Sequence, residues 1–279
     1  MPAPEIGGPR RFAETHMDAA ELYRLGCGTV SVFSARSPDR RGVNEDAAAL
    51  IPVGKSAAVL AVADGVGGLP GGAEAAATVI EALLRHVGTA VPNVSGLRDA
   101  ILSAIEDANR RILSRGTGSA TTLALAELHA DSVRTYHVGD SMILVTNRHG
   151  EVKAETLPHS PVGYAVESGL MSESAAARHG ERHLVSNVIG SGELHVSVGA
   201  LIPFAAHDTL LLATDGLADN VRKRRIVELM RNGSLDACSR SLTGIARRRM
   251  SGTSRTARPD DLTLILYRRD VPRRRRRVA

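Results

Sequence analysis

Residues 57–72 read AAVLAVADGVGGLPGG, an unbroken apolar run that stops at one carboxylate, Asp64, and passes into glycines. A short apolar run closed by turn residues is the pattern of a buried strand, which places Asp64 as the last residue of that strand. Glycines at 65, 67, 68, 71 and 72 carry no side chains and let backbone approach an ion or a ligand closely. An Asp at such a strand end suits a metal ligand. It suits an ordinary Asp-Gly turn as well, and this stretch alone does not separate the two.

Working outward toward the N-terminus, residues 29–35 (TVSVFSA) alternate as a strand, and AAALIPV at 47–53 resumes an extended apolar pattern. Between them, SPDRRGVNED carries Arg41, Glu45 and Asp46. If the flanking strands neighbour the one ending at Asp64, Glu45 and Asp64 share a cation while Arg41 points at an anion beside it, an arrangement for a phosphate. Read in isolation, the loop is equally a charged surface turn. Residues 1–28 read as a poorly specified N-terminal extension with a short helix over 14–25.

Toward the C-terminus, Ala76, Val79, Ile80, Leu83, Leu84 and Val87 recur at helical spacing, and Gly88 and Pro92 mark the end of that helix. A second helix, from Leu97 to about Leu113, buries Ile101, Ile105, Ala108 and Ile112. From Gly118 the period changes to that of short strands with polar turns, which predicts an antiparallel meander. Asp140 stands in one of those turns, HVGDS. The excursion that starts at 158 is too long for a hairpin, holds a predicted helix from Ser172 to His179, and suits either a lid over the site or inert decoration. TLLLATDG at 209–216 repeats the strand–Asp–Gly pattern with Asp215. Helices are predicted at about 223–231 and 234–249, and Asp260 and Asp261 precede a last strand, LTLILY.

With 43% hydrophobic and 3% aromatic residues, the core has to be built from Ala, Val, Leu and Ile. No apolar run reaches the 18 or so residues of a membrane span, and two distant cysteines fit a reducing compartment, so the expectation is a cytoplasmic monomer. The net charge of +5 suggests nucleic acid at first sight. Residues 268–279 hold seven arginines and one aspartate, a formal +6, which leaves −1 for the other 267. The basic character is therefore assigned to a disordered tail, with no specific nucleic-acid partner.

Carboxylates gathered at strand ends repel one another, so a cluster of them calls for cations. Without a Cys/His set, oxygen donors favour Mg²⁺ or Mn²⁺, and two such ions assist attack on phosphorus. RGVNED (41–46), VADGVGG (62–68), GSATTL (118–123), VGDS (138–141), residues 167–190, LLLATDG (210–216) and PDDLT (259–263) resemble, in order, the motifs of the metal-dependent serine/threonine protein phosphatases of the 2C class, bacterial type. The resemblance covers about residues 29–267 and implies an α+β fold, a four-layer αββα sandwich of two antiparallel sheets flanked by helices. It implies hydrolysis of phosphoserine and phosphothreonine in proteins, the products of a bacterial kinase, by a water activated between two Mn²⁺ or Mg²⁺ ions and with no covalent intermediate.

By resemblance, Asp64 bridges the two ions and the carbonyl of Gly65 binds one of them. Glu45 is similar to a ligand of the second ion, and Asp215 and Asp260 to ligands of the first. Asp46 orients the water, Arg41 binds phosphate, Asp140 with Asp215 resembles a third, looser metal site, and residues 158–190 resemble the flap. Met142 and Asp261 depart from the family's usual Arg and Asn, and Val66 stands where many eukaryotic members have a His and many bacterial relatives an apolar residue. Valine cannot transfer a proton, which leaves protonation of the departing alkoxide to metal-bound water or bulk solvent. The alternative is a catalytically weak phosphoprotein-binding module on the same fold.

Overall fold

A computed structural model of the chain describes residues 3–39, 42–67, 71–88, 96–176, 179–181, 184–252 and 257–271. Two antiparallel sheets lie face to face, with helices on both outer surfaces. The chain begins with β1 (Arg10–Ala13) and β2 (Glu21–Leu25), then β3 (Gly28–Ala35), β4 (Asp46–Val53) and β5 (Ala57–Asp64). Helices α1 (Gly72–Leu83) and α2 (Leu97–Ser114) follow, joined through a π-helical turn at Leu84–Gly88. Next come β6 (Leu123–Leu128), β7 (Ser132–Val138), β8 (Met142–Thr146) and β9 (Val152–Glu155). The excursion holds α3 (Pro161–Glu167) and α4 (Glu173–Ala176), after which β10 (Ser197–Val198), β11 (Ile202–Pro203) and β12 (Thr209–Ala213) lead to α5 (Asp215–Ala218), α6 (Lys223–Arg231), α7 (Leu235–Met250) and β13 (Leu262–Arg269).

One sheet runs β1-β4-β5-β6-β7-β10, with β11 also on β7; the other runs β2-β3-β13-β12-β8-β9. β4 and β5 show why their sequences are continuously apolar. Alternate residues Ala47, Ala49, Ile51, Val59, Ala61 and Ala63 pack under α1 and α2. The intervening Ala48, Leu50, Leu60 and Val62 face the other sheet. Alanines on the helix-facing side let the helix backbones come close, and Val79, Ile80, Ile101 and Ile105 fill the space between. Each large aliphatic residue here contributes about 2–5 kcal/mol relative to alanine.

The order of strands decides where the site lies. The chain crosses from one sheet to the other between β3 and β4 and again between β7 and β8, while β12 and β13 pair within one sheet. Asp140 sits in the second crossing, Asp215 directly follows β12, and Asp260 directly precedes β13. The segment 119–157 is thus not one meander: β6 and β7 belong to one sheet, β8 and β9 to the other. Period-2 patterning sets the strand but does not name its partner.

Further differences concern local structure. The segment 14–25 forms no helix; β2 pairs with β3, and β1 pairs with β4, so residues before 29 supply an edge strand to each sheet. The predicted helix 172–179 is the short α4, whose start Ser172 Oγ holds by accepting from Ala175 N at 3.3 Å. The run 195–202 that reads as one strand is broken into β10 and β11. Among the described residues no helix is long and apolar enough to cross a membrane, and the arginine run 273–277 lies outside them.

Candidate active site

Asp46 and Asp64 are direct partners in the β4/β5 register, so the first residue of one strand faces the last of its neighbour. Gly65 N donates to Glu45 O at 3.2 Å, which folds the glycine turn back over the loop before β4. A Cβ on Gly65 would run into the Gly72 carbonyl and lie 2.9 Å from Glu45 O. One on Gly72 would lie 3.4 Å from Glu45 Oε1. The glycines here permit a close approach of three backbone segments around the Glu45 carboxylate.

Hydroxyls tie the separate acids together. Thr214, one residue before Asp215, donates its hydroxyl to Asp46 Oδ2 at 2.9 Å and accepts from Thr263 N at 3.0 Å. Asp64 N donates to Thr122 Oγ1 at 3.2 Å, and that hydroxyl meets Ser141 Oγ, beside Asp140, at 2.7 Å. Asp64 O accepts from Thr121 Oγ1 and Thr122 N. Each short side chain spans the gap between two strand ends, which holds the aspartates together across the rim.

The acids sense one another's charge. Burial raises Asp64 well above the usual carboxylate range, and Asp215, Asp46, Asp140 and Asp260 push it further. Asp215 is raised in the same way, by burial and then by Asp140, Asp260, Asp219 and Asp46. Asp46 rises to about 8, from burial and then Asp261, against lowering bonds from Thr263 and Thr214. Asp140 rises to about 6, chiefly from burial, with Asp219 and Asp260 adding to it. Five acids at strand ends, Asp46, Asp64, Asp140, Asp215 and Asp260, separated by up to 214 positions, are therefore within one electrostatic neighbourhood.

Asp261 has a different part from its neighbour. It is buried, and its two oxygens accept from Ser37 N at 2.6 Å and Glu45 N at 2.7 Å. It ties both ends of the loop that contains position 41. Arg41 itself lies outside the described residues. Met142 packs at the edge of the inter-sheet core, opposite Ala213, and Val66 N donates to Ala120 O.

Sequence reasoning did not find Asp219 or His159. Asp219 follows Asp215 by four residues, one helical turn, and that spacing was its available signal. His159 is buried and accepts at Nδ1 from Gly139 N (3.2 Å) and from the amide of Asn187 (2.7 Å), while Nε2 meets Ser197 Oγ at 3.0 Å. Its backbone N donates to Gly139 O at 2.7 Å. This histidine joins the Asp140 turn to the excursion. The N-cap of α3 is next to it, where Ser160 Oγ accepts from Gly163 N ahead of Pro161; the Ser-Pro pair was a legible helix start.

Residues 38–243 match the protein phosphatase 2C family. The chain belongs to that family. It is 25% identical over 242 residues to the serine/threonine phosphatase stp of Listeria monocytogenes, covering 84% of this chain and 93% of that protein. The solved Streptococcus agalactiae serine/threonine phosphatase superposes with a TM-score of 0.74 at 26% identity, over 86% of this chain and 98% of that one. The catalytic domain of the phosphatase PstP, solved in complex with two manganese ions, has a TM-score of 0.70 at 24% identity, over 86% and 96%. The two-sheet sandwich flanked by helices is thus the fold of the 2C phosphatases.

The acids' chemistry suits hard divalent cations. Every candidate donor is an oxygen, neighbouring carboxylates raise the buried Asp64, and the buried Asp46 Oδ1 has no hydrogen-bond partner among the described residues. Among the described residues no three His, Cys, Asp or Glu side chains close around a single point as a ligand set. The carboxylates are near enough to act on one another electrostatically, as like charges in one buried rim do, with Asp64 and Asp215 both raised by the acids around them.

Proposed function

We propose that this protein is an Mn²⁺- or Mg²⁺-dependent protein-serine/threonine phosphatase that hydrolyses phosphoserine and phosphothreonine without a covalent intermediate. The observation that carries the reading is the gathering of buried acids at one rim of the sandwich, where burial and then neighbouring carboxylates raise Asp46, Asp64, Asp140 and Asp215. Structural proteins gain nothing from such a cluster, whereas a site for cations requires it.

Two ions would be held by Glu45, Asp64, the Gly65 carbonyl, Asp215 and Asp260, with Asp140 and Asp215 available to a third. When bound, divalent ions supply charge neutralisation at the phosphoryl oxygens and a nucleophilic water at neutral pH. The chain's residues supply the rest. Asp46, fixed through Oδ2 by Thr214, presents its unpartnered Oδ1 to orient the attacking water. Asp261 fixes the two ends of the loop that contains position 41, and Arg41 is read as the phosphate-binding residue, its guanidinium offering a fork of donors. Val66 offers no proton at the position after Gly65, so the departing alkoxide takes its proton from water, in the site or in bulk solvent.

The substrates are read as phosphoproteins made by a bacterial serine/threonine kinase, and the site of action as the cytoplasm, with the protein a monomer. Phosphate release from a phosphothreonine peptide with Mn²⁺, with chelator, and with folded Asp64→Asn tests the reading. Release is expected only in the first case, with the variant reduced about 100-fold or more. A folded, Mn²⁺-supplied wild type inactive on phosphothreonine and phosphoserine peptides alike would leave phosphoprotein binding as the function.

A further inference from the structure

The α6/α7 layer carries a charge that the overall composition conceals. Residues 222–250 contain nine Lys and Arg against two Asp and Glu, a formal +7, which exceeds the +5 of the entire chain. With this segment and the +6 of residues 268–279 set aside, the remaining 238 residues are formally −8. The basic character is therefore not confined to the tail, as the sequence reading has it. It also occupies a folded helical face on an otherwise acidic domain.

Between α6 and α7 lies a groove of about 440 Å³ lined by Arg225, Ala237, Arg240, Ser241, Ile245 and Arg248. Arg225 pairs with Glu228 at 3.1 Å and Arg240 with Asp236 at 2.8 Å, both on the solvent surface. Exposed pairs of this kind contribute little and exchange readily for a better carboxylate. Arg248 forms no ion pair among the described residues. Three guanidinium groups over an aliphatic floor of Ala237 and Ile245 suit carboxylate side chains presented on a peptide.

The groove lies within reach of the acid rim. Met250, at the end of α7, has its Cε 3.3 Å from the position of a Cβ on Gly216, next to Asp215. Arg240 stands ten residues back along α7, about 15 Å at the helical rise. An extended peptide covers that distance in roughly five residues. We propose that the α6/α7 groove docks an acidic segment lying about five residues from the phosphorylated residue of a substrate protein. This rests on the phosphatase reading for its substrate, but the docking itself does not require turnover. A nucleic acid suits the groove less well, because it presents no aromatic side chain for base stacking.

The test uses two phosphothreonine peptides of equal length, one with a Glu/Asp cluster about five residues from the phosphothreonine and one with Ser/Gly in its place. They are compared on the full chain and on Arg240→Glu/Arg248→Glu, with p-nitrophenyl phosphate as a small substrate. The acidic peptide should have a KM about 5-fold lower than the neutral one, and the variant or about 0.3 M salt should abolish that advantage. kcat, and the rate on p-nitrophenyl phosphate, should not change. Equal KM for the two peptides, or an advantage that survives in the variant, overturns the proposal. Anisotropy of a labelled, unphosphorylated acidic peptide separates the two readings: groove-dependent binding without hydrolysis of any substrate refutes the phosphatase and supports docking. A short oligonucleotide that displaces this peptide and binds the groove more tightly would assign the surface to nucleic acid instead and overturn the peptide proposal.

Discussion

Asp261 shows how one carboxylate can serve a site without facing it. Its oxygens are both committed to backbone N–H groups, at 2.6 and 2.7 Å, and these lie at opposite ends of the 37–45 loop. An asparagine has a single acceptor oxygen, so Asp261→Asn leaves one of the two N–H groups facing an NH₂ donor. The cost is about 1–2 kcal/mol, and Asp261→Ala, which strands both, costs about 2–4 kcal/mol, measured by denaturant unfolding. The same charge helps to raise Asp46, so its removal lowers Asp46 and returns part of that energy. A more stable Asp261→Asn variant would mean that repulsion, not the loop clamp, dominates at this position. The acidic residue itself was legible as a departure from the family's pattern. Its role was not, because the two N–H groups it binds are 216 and 224 residues away in the chain.

Elements were legible where their periodicity was long and their burial complete. α2 has Ile101, Ile105, Ala108 and Ile112 on its buried side, as read, and β5 ends at Asp64. The edge strands β1 (RRFA) and β2 (ELYRL) are short, partly polar and half-exposed, so pairing rather than pattern makes them strands. The 158–195 excursion is fastened at its start by His159, and this yields a prediction for the element. Both bonds at Nδ1 are accepted, so the proton sits on Nε2 toward Ser197, and burial followed by His195 lowers the pKa below the usual imidazole value. His159→Ala strands the Gly139 N–H and one N–H of the Asn187 amide, whose other bonds to His195 remain, and should cost about 2–4 kcal/mol. Hydrogen exchange at residues 186–196 and at the 139–141 turn should accelerate more than in β4 and β5. Acceleration spread evenly over both sheets, or none, would show that His159 does not fasten the excursion to the Asp140 turn.

At the scale of the molecule, two sheets crossed by the chain at one rim bring together acids that the sequence scatters from 45 to 260, and the rim stores their repulsion. Strand-end aspartates were legible one at a time; their meeting depends on β3–β4 and β7–β8 changing sheets, which local patterning does not encode. The stored repulsion sets a pH dependence. Asp46 is raised to about 8 and Asp140 to about 6, with Asp64 and Asp215 also raised, so the folded chain keeps protons that the unfolded chain, with carboxylates near 4, has already lost. Where the folded state binds more protons, stability falls as pH rises. In chelator, then, the Tm should decline as pH rises from about 5 through about 8, opposite to a protein dominated by surface salt bridges. Asp64→Asn removes one titrating group and one source of repulsion, so its decline should be shallower. Mn²⁺ requires the ionised carboxylates, and its stabilisation should accordingly be larger at pH 8 than at pH 5. A Tm in chelator that rises across this interval, or an Asp64→Asn slope as steep as wild type, would show that the acids do not titrate as a repelling cluster and would remove the physical basis for placing cations among them.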